Sequence, residues 1–317
     1  MWILLVFASI IFYAFAETLQ KRGVDLKEAH CEIKLLIWFG IVSGATSLGL
    51  QLLGLRETSL TAFEIVAKQP LLVLSPLLYF LSLFFCFVGF KLIPVSIASP
   101  ITCMDGVFTL VGVIVMYLLL GRSEEIVGLK VAFMVPILAG TITCTVLQNR
   151  AENINENRAL AAGRKWLKNG RFAVIGVLMT LISALLDAGS SLTDLYLLGE
   201  MSESYDYIYA HGILVLIGSA ILYAALCVTE RKPYRLWSRS ELPKAMGAGF
   251  DSFGMLFYMM AAARNQIYTN VLVSGFCAFT VLLSRWILKE RIGKKLRIAV
   301  AFTIGCVLLF SIADELL

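Results

Sequence analysis

Apolar residues run along this chain in long blocks rather than at amphipathic intervals. A helix needs about 20 mostly apolar residues to cross the roughly 30 Å hydrocarbon layer of a bilayer. Ten stretches qualify: 1–19, 35–55, 69–90, 93–119, 128–147, 172–198, 207–229, 245–262, 267–288 and 297–315. Between the fifth and sixth lies the longest polar stretch, Arg150 to Arg171, where Glu-Asn-Ile-Asn-Glu-Asn is followed by a basic cluster. The pattern predicts an all-α integral membrane protein of ten transmembrane helices. A first five-helix group occupies 1–149, a polar basic connecting loop 150–171, and a second five-helix group 172–317.

Composition points the same way. Of 317 residues, 59% are hydrophobic and only 15% charged, against about 25% charged in ordinary soluble domains; the mean hydropathy is +0.83. Such a chain cannot cover a globular surface with charge, which excludes a soluble enzyme, a nucleic-acid binder and a disordered scaffold. The net charge of +5 sits in a few loops beside apolar runs, as membrane topology rather than a bound polyanion requires. The loops after the odd-numbered helices hold about 21 Lys and Arg, those after the even-numbered ones about 5. Cytoplasmic loops carry the excess of Lys and Arg, so both termini are expected outside the cytoplasm, in the cell membrane. Ala14-Phe15-Ala16 before Glu17 resembles a cleavage site, but no basic residue precedes the apolar run, so this segment is expected to stay as the first helix. Seven cysteines stand singly, without a CxxC spacing; neither a metal nor a cofactor is expected.

An internal repeat carries more information. Glu125, Gly128, Lys130 and Gly140 recur as Glu290, Gly293, Lys295 and Gly305, each at an offset of 165 residues and each at the turn between the fourth and fifth helix of its half. An odd number of helices per half places the second half upside down relative to the first. Inverted repeats are a transporter architecture with the substrate site near the bilayer midplane.

On these residues, together with Pro94-Val-Ser-Ile-Ala-Ser-Pro100 and Leu288-Lys-Glu290, the chain resembles the drug/metabolite transporter superfamily of EamA type. The resemblance implies ten helices in two inverted repeats. It also implies a Glu at each fourth-to-fifth helix turn (Glu125, Glu290) and a Gly-containing fifth helix (Gly128 and Gly140, Gly293 and Gly305). Between Asn265 and Asn270 this sequence lacks the proline usual in that family.

Acidic residues inside the apolar blocks mark the candidate chemistry, because an acid within a bilayer needs a partner, a proton or water. Asp187, Ser190, Ser191 and Asp194 fall at i, i+3, i+4 and i+7 and share one helix face. That face is either an interhelical hydrogen-bonding seam or a wetted cavity wall, and the wall is favoured. Tyr13, Glu17 and Gln20 form a comparable stripe on the first helix, expected to face the sixth. Asp251, Met255 and Tyr258 form another on the eighth. Asp105 and Asp187 lie farthest into their blocks and are the leading proton- or cation-binding residues. Asp105 aligns at the repeat offset with Asn270. Arg285 either snorkels or clamps an anionic group. Trp38, Trp286, Tyr205, Tyr207 and Tyr209 fit an interfacial aromatic belt.

These readings add up to a non-enzymatic secondary transporter. No nucleotide-binding loop is present, so a gradient or exchange must supply the energy. Acids outnumber bases in the core, Glu17, Asp105, Asp187, Asp194 and Asp251 against Arg285. The expected solute is therefore a small amine, amino acid or other cationic or zwitterionic metabolite, moved by alternating access with protons or a counter-solute. The alternative within the superfamily is a nucleotide-sugar or organic-anion exchanger. More remote are an intramembrane aspartyl protease (Tyr205-Asp206 with Gly247-Ala-Gly249-Phe-Asp251) and a membrane sensor without transport. The expected partners are the solute, protons or a counter-solute and the lipid bilayer, with no nucleic acid.

Overall fold

The computed structural model describes residues 2–23, 28–56, 58–92, 101–102, 104–121, 128, 132, 134–144, 146–147, 170–201, 204–287 and 293–316. Among them every regular element is helical. The α-helices are α1 (Trp2–Gly23), α2 (Cys31–Leu52), α3 (Ala62–Lys68), α4 (Leu74–Leu92), α5 (Asp105–Leu119), α6 (Met134–Cys144), α7 (Gly170–Glu200), α8 (Ser204–Glu230), α9 (Leu242–Ala262), α10 (Gln266–Ser274), α11 (Phe276–Ile287) and α12 (Lys294–Leu316). Five stretches of the described residues are long and apolar enough to cross a membrane: Trp2–Gln20, Cys31–Leu52, Pro70–Gly89, Val174–Gly199 and Tyr205–Glu230. At 1.5 Å per residue even the shortest, of 19 residues, measures about 28 Å. Their length and composition are those of membrane-spanning helices.

Contacts divide it into two compact units, 1–84 with 189–266 and 85–188 with 267–317. In the first, α1 lies against α9 and α2 against α8. Both contacts are built on glycine. Gly247 and Gly254, two turns apart on α9, leave a groove that Gln20 and Tyr13, also two turns apart, occupy; a Cβ at either glycine would stand 3.0 Å from them. Phe12 stacks obliquely on Phe250, Phe253 and Phe257 beside this groove. The first-helix stripe of Tyr13 and Gln20 thus finds its partner on the eighth predicted span. Between α2 and α8, a Cβ at Gly40 would meet Ser219 Oγ at 2.2 Å, and one at Gly212 would meet Ser47 Oγ at 1.9 Å. Small residues four apart let helix backbones approach closely without a hydrophobic driving force.

In the second unit Gly140 of α6 packs on Thr303 of α12, and Gly89 of α4 on Thr180 of α7. One predicted span differs from expectation. Of the fourth, placed at 93–119, residues 93–100 and 103 lie outside the described residues, and 101–102 and 105–119 are helical. The ninth, placed at 267–288, is interrupted: α10 ends at Ser274 and α11 begins at Phe276. Ser274 Oγ donates to its own helix at Val271 O, 2.7 Å away. Gly275 N–H turns back to Leu272 O at 3.1 Å, and a Cβ at Gly275 would stand 3.0 Å from that same oxygen. A larger residue there would have to push its neighbours back by a few tenths of an ångström.

Candidate functional site

Two polar clusters lie within apolar helices, one in each unit. In the second unit Asp105 opens α5 and its carboxyl accepts from the Gly106 N–H and shares a hydrogen bond with Asp187 of α7. Two carboxyl groups can share a hydrogen bond only when one of them carries a proton; like charges this close cannot both ionise. The interrupted span adjoins the pair, since a Cβ at Gly106 would meet Ser274 at 3.1 Å. One turn before the break, Asn270 is buried and its Nδ2 has no partner. An acid pair thus adjoins a helix break that has an unsatisfied amide one turn away, and broken helices are where transporters bind ions and charged solute groups.

In the first unit Asp194 of α7 accepts from Ser75 of α4 and from Tyr207 of α8, while Ser190 donates to Ser75 O at 3.0 Å. All four are buried. One turn along α4 from Ser75, Tyr79 donates to Asp251 Oδ2 of α9 at 3.3 Å. The polar face read on the sixth span is thus divided: Asp187 is satisfied in the second unit, Ser190 and Asp194 in the first. Ser191 is half-buried beside them. Tyr258 is buried on α9; Glu17 and Tyr13 are half-buried on α1.

The repeat-motif residues separate as well. Gly140 meets Thr303 at 2.4 Å from a Cβ position, whereas Gly128, Gly293 and Gly305 have open space. Glu125, Glu290, Pro94–Pro100 and the connecting loop at 150–169 lie outside the described residues, and of Arg285 only its place in α11 is described. Of the residues read as an aromatic belt Trp286 is exposed, whereas Tyr207 and Tyr209 are buried. Tyr207 holds Asp194, and Tyr209 lies 3.8 Å beneath the Arg56 guanidinium.

Two features had no sequence signal strong enough to single them out. One is an ionic cluster at the ends of α2, α8 and α9. Lys244 Nζ reaches Glu28 at 2.5 Å and Glu241 at 3.1 Å, and Lys34 reaches Glu28 at 2.8 Å. Tyr234 and Trp38 both donate to Glu241. Burial alone would raise the Glu28 carboxyl, but the hydrogen bonds and charges of Lys244 and Lys34 hold it below its ordinary value. Burial, then the bond to Glu241, pushes the Tyr234 phenol up. The other feature is a small cavity between α2, α8 and α9, with about 20 Å³ open to the centre of a water-sized group. Its wall includes His211 and Ser252, whose Nε2 and Oγ are buried without a partner. Among the described residues no group of three His, Cys, Asp or Glu is placed to hold a metal ion.

No protein-family description matches the chain, and no curated protein matches it. A solved structure described as "Crystal structure of protein" is similar over 96% of this chain and 94% of its own, with a TM-score of 0.66 and 18% sequence identity. At that identity the likeness is one of fold, and it extends over nearly the whole of both chains.

Proposed function

We propose that this protein is a secondary transporter of the ten-helix, inverted-repeat kind, set in the cell membrane with both termini outside the cytoplasm. Its solute is a small cationic or zwitterionic metabolite, and protons drive it or exchange for it. It belongs by this reading with the drug/metabolite transporters of EamA type, and it is not an enzyme. The observation that carries the reading is the hydrogen-bonded pair Asp105–Asp187 beside the interrupted helix α10–α11. A proton shared by two acids is released when a cation arrives to replace it, which is the elementary step of proton-coupled exchange. A purely structural role would be served more cheaply by an amide or hydroxyl pair, because a lone acid in an apolar helix costs about 2.5–3.5 kcal/mol on insertion scales.

The test uses purified protein in liposomes containing a pH-sensitive dye. Adding an amine or amino acid from a panel is expected to move protons across the membrane only when protein is present. Asp187→Asn keeps a hydrogen bond to Asp105 but cannot release a proton, so solute-driven proton movement should disappear. Proton coupling that survives both Asp187→Asn and Asp105→Asn overturns the assignment of the pair. Responses confined to phosphates or sugar nucleotides would overturn the solute class and direct attention to Arg285.

A further inference from the structure

We infer that the cavity between α2, α8 and α9 is a subsite for a primary ammonium group, the head of an amine solute. The identification of that solute as cargo rests on the transport reading above; the binding itself does not. Five polar side chains line the wall, Ser43, Thr46, Ser47, His211 and Ser252, and the last four set the chemistry. His211 Nε2 and Ser252 Oγ are buried and have no partner within the protein, and a buried polar atom left unpaired costs about 1–3 kcal/mol. Thr46 and Ser47 are differently placed. Thr46 Oγ1 gives its proton to Val42 O at 2.9 Å, and Ser47 Oγ gives its own to Ile208 O at 3.4 Å. With those protons committed, both hydroxyls present lone pairs only.

The wall therefore offers acceptors: two hydroxyl oxygens that have spent their protons, the Ser252 oxygen, and Nε2 when the ring proton sits on Nδ1. A group with several donors and no acceptor is the complement, and an ammonium group has three donors and none to accept. Size agrees, since about 20 Å³ holds roughly one water-sized group, smaller than a trimethylated nitrogen. The thioethers of Met255 and Met259 complete the lining; they are weak acceptors and adaptable packing for the carbon next to the nitrogen. This wall is not an oxyanion or phosphate site, because it carries no lysine or arginine.

The experiment measures binding to the purified full chain by thermal stabilisation and calorimetry, with ethanolamine, choline and ethylene glycol as probes. Ethanolamine is expected to raise the melting temperature in a dose-dependent way. Choline, with the same charge but no N–H and a wider head, and ethylene glycol, with no charge, are expected not to. Ser252→Ala should weaken ethanolamine binding roughly 10-fold or more, as loss of a hydrogen bond to a charged group does. His211→Leu should do the same, and if that variant fails to fold, Ser252→Ala still decides. Ser238→Ala, in the exposed loop before α9, serves as the unaffected control. Equal stabilisation by ethanolamine and choline, no stabilisation by ethanolamine, or a Ser252→Ala variant that binds as tightly as the parent overturns the inference and leaves the cavity as a water site. Binding with the expected selectivity but without amine-driven proton movement in liposomes would overturn the transport reading and leave the subsite standing. Amine-driven movement unaltered by Ser252→Ala would do the reverse.

Discussion

Replacing Lys244 by methionine isolates the energetics of the ionic cluster, because methionine keeps the length and removes the charge. Lys244 is 1% exposed and its ammonium bridges Glu28 at 2.5 Å and Glu241 at 3.1 Å. The two carboxylates fare differently once it is gone. Glu28 keeps Lys34 at 2.8 Å, and its side chain is 25% exposed, so water and a second cation still support it. Glu241 is left with the neutral donors Trp38 and Tyr234 at 4% exposure. Removing one partner of a buried ion pair costs about 3–5 kcal/mol. Only one of the two acids is stranded, so the lower end applies, about 3 kcal/mol. For a unit of this size a change of 1 kcal/mol moves the melting temperature by about 2–4 °C, which sets the expected fall at about 6–12 °C. A thiol-reactive fluorophore followed during a temperature ramp in detergent would read it, since Cys31 is buried at the start of α2 and becomes labelled as the cluster opens. Lys244→Met combined with Glu241→Gln removes the stranded charge and should recover at least half of the loss. A single variant melting within about 2 °C of the parent, or a double variant no better than the single, would refute this account of the cluster.

Three other expectations concern the same cluster and the glycine contacts. The Glu28 carboxyl is held below its ordinary 4.5 in the folded protein. Its contribution is therefore present above about 4.5 and lost as pH falls through the depressed value. Melting curves of the parent should drop more steeply on acidification than those of Glu28→Gln. The Tyr234 phenol is raised above its ordinary 10.0, so the sign reverses: its contribution is present below about 10 and lost as pH rises further. Tyr234→Phe should flatten the alkaline limb of the same profile. Gly140→Ala and Gly305→Ala, 165 residues apart in the sequence, should part company in a stability measurement. At Gly140 the new methyl would sit 2.4 Å from Thr303 Oγ1, a hydroxyl tied to Ala299 O at 2.9 Å on a fully buried β-branched side chain, and overpacking costs about 1–3 kcal/mol. At Gly305 it meets nothing within 4 Å, so the gain in helix propensity of up to about 1 kcal/mol should dominate. Equal effects at the two sites would sink the packing argument.

What the sequence made legible follows from what apolar blocks encode. Helix positions are local: about 20 apolar residues suffice to specify a span, so α1, α2, α4, α7 and α8 could be read within a few residues of their ends. Breaks are local too, but their signal is weaker. Val-Ser-Gly at 273–275 interrupts α10–α11 through a serine that bonds its own helix and a glycine that meets a carbonyl, and the same tripeptide in a continuous helix would read alike. The acids Asp105, Asp187, Asp194 and Asp251 stood out singly because charge is rare among apolar residues. Which of them pair did not, because pairing depends on contacts between helices far apart in sequence. The face at 187, 190, 191 and 194 shows the limit. Its periodicity is real, yet a long helix can serve two partners along one face, and here Asp187 goes to Asp105 while Asp194 goes to Ser75 and Tyr207.

Misreadings fell where a side chain has two reasonable environments. Tyr207 and Tyr209 look like belt residues, since tyrosine at the end of an apolar block most often sits among lipid headgroups. A buried acid or guanidinium competes for the same hydroxyl or ring, and at Asp194 and Arg56 it wins. Lys244 counts as a loop cation in any charge tally, but it is among the most completely buried side chains of the chain; its two glutamates, one of them distant in sequence, decide that. His211 gave no signal at all, because one histidine in an apolar block is more often a satisfied packing residue than a ligand. Its significance is a negative fact of the fold, a ring nitrogen with no partner beside a serine with none. Periodicity records which residues face inward, and it carries no record of which inward groups are left unpaired. Unpaired groups are where a ligand can contribute most, so the part of the site hidden from sequence is also the part on which binding depends.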